Sequence, residues 1–284
     1  MSETPLPSAR ALLAKYDLRA KKSWGQNFLV DERAYREIVH ACALGDGDWV
    51  VEIGAGLGTL TARLAQAAAH VVAIERERDM IDILKKELGA EPRIEIVEAN
   101  ALTFEYPSVA ARAGRSPVVV GNLPYQIASP ILFRLLEARH SIARIVVMLQ
   151  KEMADRIVAP PGTKEYGALS VMVRYYGEPK MVCRVRAGGF VPAPRVDSAV
   201  LKIVPYAGGA TRVAVDDARF SRVVHAAFNQ RRKTLRNALS AAYETAAVDR
   251  ALAAAEIDGQ RRGETLSVEE FARITAAIDG APGA

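Results

Sequence analysis

Two kinds of apolar run alternate along the first two-thirds of the chain. Short, continuously apolar stretches occur at 48–53 (DWVVEI), 71–74 (VVAI), 94–97, 118–120 and 145–149 (IVVML). Between them, residues 60–68, 80–88 and 130–136 carry apolar positions at helical spacing, and an earlier helix is expected to start at Asp31 as its N-cap. Continuously apolar strands separated by helices predict a mostly parallel sheet buried on both faces. The runs 169–176, 181–185 and 199–204 follow without a helical gap and are expected to add antiparallel strands at one edge. After the turn-rich YAGGAT at 206–211, apolar residues recur at helix spacing: Phe220, Val223, Val224, Ala227, Phe228, then Leu235, Ala238 and Leu239. The expected organisation is a Rossmann-like α/β domain over 1–206, including a basic N-terminal arm at 1–30, followed by a small all-α domain at 207–284.

The first apolar run ends in Glu52-Ile-Gly-Ala-Gly-Leu-Gly-Thr, so Gly54, Gly56 and Gly58 form a G-x-G-x-G turn. Glycines at such a strand end let the backbone turn sharply and approach a ligand. Glu75 closes the next strand, where a carboxylate accepts hydrogen bonds from both hydroxyls of a ribose. A glycine turn alone would be only a turn; together with Glu75 it predicts a nucleoside ligand. The dinucleotide fingerprint places its last glycine one residue later. The shorter spacing suits S-adenosylmethionine (SAM), which has no pyrophosphate to seat on a helix N-terminus.

Gly121-Asn122-Leu123-Pro124-Tyr125 follows the fourth strand, on the carboxyl edge where open α/β sheets bind ligands. An adenine amine is a poor nucleophile because its lone pair is delocalised into the ring. Two acceptors for its hydrogens, the Asn122 side-chain oxygen and a backbone carbonyl near Pro124, draw the nitrogen towards tetrahedral geometry. Tyr125 then stacks on the base. Alone, these residues describe an Asn-Pro turn with a tyrosine; behind a SAM-type loop they predict in-line methyl transfer to the N6 of adenine. In the FVPAPRVDS stretch, Phe190 is a candidate for the opposite face of the base, with simple packing as the alternative.

Composition adds limits rather than a function. With 284 residues, half of them apolar, the chain can bury a large core, and its net charge of +5 suits a polyanion without demanding one. Cys42 and Cys183, the only cysteines, lie in apolar surroundings and fit a reducing, cytoplasmic setting. The four histidines are scattered without ligand spacing, so no metal is expected, and no apolar run is long enough for a bilayer. The segment 229–237 (NQRRKTLRN) carries Arg231, Arg232, Lys233 and Arg236 without an acid. Such a run describes a solvated helix end or a set of phosphate contacts; an adenine-reading site upstream favours RNA. Lys21, Lys22 and Trp24, and Lys151, Arg156 and Lys164, are candidates to extend that surface.

Taken together, KKSWGQNFL, EIGAGLGTLT, Glu75, GNLPY, EYGALSV, FVPAPRVDSAV and FNQRRKTLRNAL resemble the small-subunit ribosomal RNA adenine dimethyltransferases over nearly the whole chain. The resemblance implies a class I SAM-dependent methyltransferase acting as a monomer. It further implies two methyls on each of two adjacent adenosines in the 3′-terminal hairpin of 16S rRNA, in a maturing 30S subunit. It places cofactor contacts on Asn27, Leu29, Gly54, Glu75, Asn100 and Asn122. At Asn100 the chain departs from the family's usual aspartate. The glycine and NLPY motifs also fit the erythromycin-resistance enzymes that act on 23S rRNA. A DNA adenine methyltransferase, a non-catalytic ribosome assembly factor that keeps SAM, and an NAD dehydrogenase are the remaining alternatives.

Overall fold

A computed structural model describes residues 8–18 and 27–278 of the chain. Lys21, Lys22 and Trp24, and most of the expected basic arm, lie outside the described residues. The chain divides into two compact units, one running to Ala154 and resuming at Lys180–Pro205, the other made of Asp155–Pro179 and the chain from Tyr206 onward. The first unit was expected to run without interruption to 206; instead, residues 155–179 group with the C-terminal helices.

In the first unit the chain forms α1 (Ala9–Lys15), β1 (Phe28–Leu29), α2 (Glu32–Cys42), β2 (Trp49–Ile53), α3 (Thr59–Ala67), β3 (His70–Glu75), α4 (Arg78–Leu88) and β4 (Ile94–Glu98). It continues through α5 (Tyr106–Ala113), β5 (Val118–Asn122), α6 (Ala128–Glu137) and β6 (Arg144–Gln150). Helix α7 (Lys151–Val158) leads out of this unit and α8 (Ala168–Tyr176) belongs to the other. Strands β7 (Gly177–Val185), β8 (Phe190–Val191) and β9 (Ser198–Pro205) complete the sheets. The main sheet has the order β4-β3-β2-β5-β6-β9-β7. Its first five strands are parallel neighbours, and β9 runs antiparallel to β6. Val50, Val51, Val71, Val72, Val119 and Val147 in the central strands are fully buried, as the continuous apolar runs required. Asp31 caps α2 as expected, accepting from the N–H groups of Arg33 and Ala34 at 2.9 and 3.2 Å.

One expected strand is a helix. Residues 169–176, rich in valine and tyrosine, fall within α8. Ser170, Val171, Met172, Val173, Tyr175 and Tyr176 are all buried there, so the helix has no polar stripe and its 3.6-residue period is invisible in the sequence. The Ser170 hydroxyl accepts from the Gly167 N–H at 3.0 Å at the start of the helix, and the Tyr175 ring stacks on Phe220 with centroids 4.0 Å apart. Packing within the second unit overrides the strand propensity of the run. That unit continues with α9 (Asp217–Asn229), α10 (Leu235–Leu239), α11 (Thr245–Ala254) and α12 (Val268–Ala277), around Phe220, Val224, Leu235, Val248 and Phe271. Among the described residues no helix is long and apolar enough to cross a membrane.

Candidate active site

Strand order in the main sheet reverses between β2 and β5, which pair with Ile53 opposite Gly121. A crevice forms at such a reversal because the chain leaves neighbouring strands in opposite directions. Two recesses of about 160 and 280 Å³ open there, sharing Gly54, Glu75, Glu77 and Pro124. The first brings together Asn27, Leu29, Gly54, Gly56, Glu75, Asn122, Pro124 and Tyr125; the second adds Asn100.

The glycine turn has φ of +69° at Gly54, +55° at Gly56 and +78° at Gly58, conformations that disfavour any side chain. At Gly58 a Cβ would also come within 2.6 Å of Leu88, so the glycine lets α3 start close against α4. Glu75 ties this turn to the end of β3. One carboxylate oxygen accepts from the Gly56 N–H at 2.9 Å, the other from the N–H groups of Arg76 at 2.6 Å and Glu77 at 3.0 Å. A carboxylate offers about four acceptor positions, so capacity for a further donor remains.

Asn122 ends β5, and its Nδ2 donates to the backbone carbonyl of Asn27 at 3.1 Å. That bond fixes the amide orientation and leaves Oδ1 as the group available to a donor in the recess. The Pro124 carbonyl accepts from the Ile127 N–H at 3.1 Å in the turn that follows, keeping one lone pair for another donor. The Tyr125 ring forms part of the recess wall, and its hydroxyl lies 2.7 Å from Ser198 Oγ. Tyr35 joins the two sides of the recess, donating to the Leu29 carbonyl at 2.7 Å and lying 2.6 Å from Thr59 Oγ1.

The family model for ribosomal RNA adenine dimethylase matches residues 17–279. The chain belongs to this family. It is 49% identical to the ribosomal RNA small subunit methyltransferase A of Anaeromyxobacter sp. (strain K), covering 96% of this chain and 98% of that one. The solved structure of the 23S rRNA methyltransferase ErmE is 28% identical, with a TM-score of 0.69 over 89% of this chain and 100% of that one. A dimethyladenosine transferase from Plasmodium falciparum, 24% identical, shares the fold with a TM-score of 0.72 over 87% of this chain and 95% of that one.

Four sequence-predicted residues of this dimethylase read differently in three dimensions. Phe190 is only 2% exposed and is not part of the recess wall. It pairs with Leu29 where β8 meets β1, and its ring joins the apolar core with Tyr35 and Val185, so packing replaces the expected base contact. Asn100 does line the second recess, but its Oδ1 accepts from the Leu102 N–H at 3.1 Å in a turn closing on itself. In the helical unit, Arg231 donates to the carbonyls of Lys164 and Tyr166 at 2.8 and 3.1 Å, and Arg236 makes a double hydrogen bond to Asp249 at 2.5 and 2.7 Å. Those two cations are committed to the unit's own structure, whereas Arg232 and Lys233 are exposed.

Glu52 is a site residue that motif reading passed over. It sits inside the apolar strand β2, 2% exposed, on the wall of the first recess, and its Oε2 has no hydrogen-bond partner. Burial, with the nearby charge of Glu75 adding to it, pushes its carboxyl from an ordinary 4.5 up to about 8. The only signal in the sequence is a carboxylate interrupting a strand of four apolar residues.

The raised carboxyl has a stability consequence. The folded protein holds this proton more tightly than the unfolded chain, so stability falls as pH rises from about 4.5 through about 8. At about 1.4 kcal/mol per pKa unit the loss reaches a few kcal/mol. Glu52→Gln should therefore raise the melting temperature of the cofactor-free protein markedly at pH 8 and little at pH 5. Equal shifts at both pH values would mean that Glu52 is not held neutral.

For Asn100, replacement by Asp keeps the turn to Leu102 and supplies a second, charged acceptor to the recess. Asn100→Asp should tighten SAM binding several-fold, about 1 kcal/mol, with the rate at saturating SAM unchanged. Calorimetry of Asn100→Asp and Asn100→Ala checks this; an alanine variant binding as well as the parent would remove Asn100 from the cofactor site.

Proposed function

We propose that this dimethylase transfers methyl groups from SAM to the N6 amines of two adjacent adenosines in the 3′-terminal hairpin of 16S rRNA, within a maturing 30S subunit. It acts there as a cytoplasmic monomer. The observation that carries the chemistry is the amide of Asn122, tethered through Nδ2 to the Asn27 carbonyl so that Oδ1 is left for an incoming amine. The small-subunit substrate is favoured over 23S rRNA by the 49% identity to a small-subunit enzyme against 28% to ErmE.

The residues present fit SAM. The orphaned Oε2 of Glu52 in the recess wall suits the methionyl ammonium, whose charge would restore the ionised carboxylate. Glu75 has one acceptor position left for a ribose hydroxyl, and Asn100 in the second recess suits the adenine. SAM, when bound, supplies a methyl group on a positively charged sulfur. Asn122 Oδ1 and the free lone pair of the Pro124 carbonyl accept the two amine hydrogens, which turns the nitrogen lone pair out of conjugation. The same two oxygens face the positive charge that grows on the nitrogen as its bond to carbon forms. Tyr125 stacks on the base and keeps water out. Once one methyl is attached a single N–H remains, so the second transfer relies on only one of the two acceptors. The departing proton comes from a cationic, already acidic nitrogen and is lost to solvent as the base leaves the recess, so no side chain acts as a base.

Arg232 and Lys233 contact phosphates of the RNA, while Arg231 and Arg236 hold the helical unit that presents them. Arg232→Gln with Lys233→Gln should weaken binding to the 30S particle at unchanged melting temperature. The salt slope should fall by about 0.7–0.9 for each phosphate that is no longer neutralised. An unaltered slope would refute the phosphate role.

Mass spectrometry of rRNA from cells with and without the gene tests the substrate directly. Loss of dimethyladenosine at two neighbouring positions of 16S rRNA is the expected result. Loss confined to 23S rRNA would move the substrate to the large subunit, and no loss with intact SAM binding would leave an assembly role without catalysis. Asn122→Ala should abolish most turnover while the protein stays folded.

A further inference from the structure

The strand β9 opens with a residue that an apolar core does not call for. Ser198 is fully buried at the head of SAVLKIVP, where a hydroxyl costs free energy unless it is hydrogen-bonded. Its Oγ lies 2.7 Å from the hydroxyl of Tyr125. The backbone on both sides holds Ser198 in place. It pairs with Gln150 across β6, and the preceding Asp197 accepts from the Lys151 N–H through its carbonyl and from the Ala187 N–H through its side chain, each at 2.9 Å. Strand β6 in turn pairs with β5, Met148 opposite Asn122. The tyrosine hydroxyl and the asparagine amide are thus both fixed to one rigid ladder.

Tyr125 starts a short turn, Tyr125–Ile127, which fixes its Cα but not its ring. A ring held only at Cα can change rotamer, and a stacking surface that tilts brings the base amine out of line with the methyl donor. We propose that Ser198 is the positioning residue that holds the Tyr125 ring at the angle the reaction needs. This rests on the assignment of Tyr125 as the stacking surface for the target base. It gives the FVPAPRVDSAV segment a role in the reaction through its serine, while its phenylalanine is packed in the core.

The experiment measures methyl transfer to 30S particles by Ser198→Ala, Tyr125→Phe, the double variant and Tyr125→Ala, with SAM affinity and melting temperature alongside. Ser198→Ala and Tyr125→Phe each remove the same bond, one from the buried side and one from the recess side. Each should lower kcat about three- to tenfold, the worth of one net hydrogen bond. KM for the particle and SAM affinity should stay near the parent values, because the ring is still present. The double variant should be no slower than either single one, since the bond can be lost only once. Tyr125→Ala should be slower still. Should Ser198→Ala fail to fold, Tyr125→Phe still tests the anchor. Parent-like kcat in Tyr125→Phe, or effects that multiply in the double variant, would overturn the positioning role while leaving the stacking role intact. Parent-like turnover in Tyr125→Ala would overturn both.

Discussion

The close parallel pairing of β2 with β5 is the constraint on which the site depends. Gly121 lies so near β2 that a Cβ on it would come within 2.7 Å of the Ile53 carbonyl oxygen. Only glycine permits that approach without moving one strand, and moving either strand would separate the glycine turn from Asn122. Everything placed at the carboxyl edge inherits its position from this pair. The turn at Gly54–Gly58 leaves β2, the Asn122 amide leaves β5, and Glu75 on β3 closes the turn from the other side through the Gly56 N–H. The sheet therefore fixes the distances between groups that are far apart in sequence, and the loops have only to keep them open.

Much of this was legible from the residues because the signals are local. A strand that ends in spaced glycines, an acid at the end of the next strand and an Asn-Leu-Pro-Tyr run each announce themselves within a few residues, and the recess gathers them as expected. The parts that were not legible depend on what a side chain meets after folding. Helix α8 is buried on all sides, so its sequence has no period to read. Phe190 turns inward because β8 pairs with β1, a pairing of two residues that leaves no trace in the pattern. The cationic run divides into two cations that clip the helical unit together and two that face solvent, a division that depends on Asp249 and on the carbonyls of Lys164 and Tyr166. Charge spacing alone carries no information about partners so distant in the chain.

The charges in the recess are segregated by strand. The three carboxylates come from β2 (Glu52), the end of β3 (Glu75) and the turn after it (Glu77), and the groups on the β5 side are an amide, a carbonyl and a phenol. Burial raises the Tyr125 hydroxyl further above its ordinary range, despite the bond to Ser198, so nothing on that side ionises near neutral pH. A cationic methyl donor and a neutral base have opposite requirements, and the order of strands in the sheet separates them. The carboxylate with an unpartnered oxygen lies on the side where a cation is to be held, and acceptors without charge lie where an amine must keep its lone pair available. An amide in place of Glu52 would leave the cofactor's ammonium buried without a counter-charge. The destabilisation that Glu52 imposes on the empty protein is in this sense the counterpart of its fit to the cofactor: the fold tolerates a desolvated acid because a ligand of opposite charge completes it.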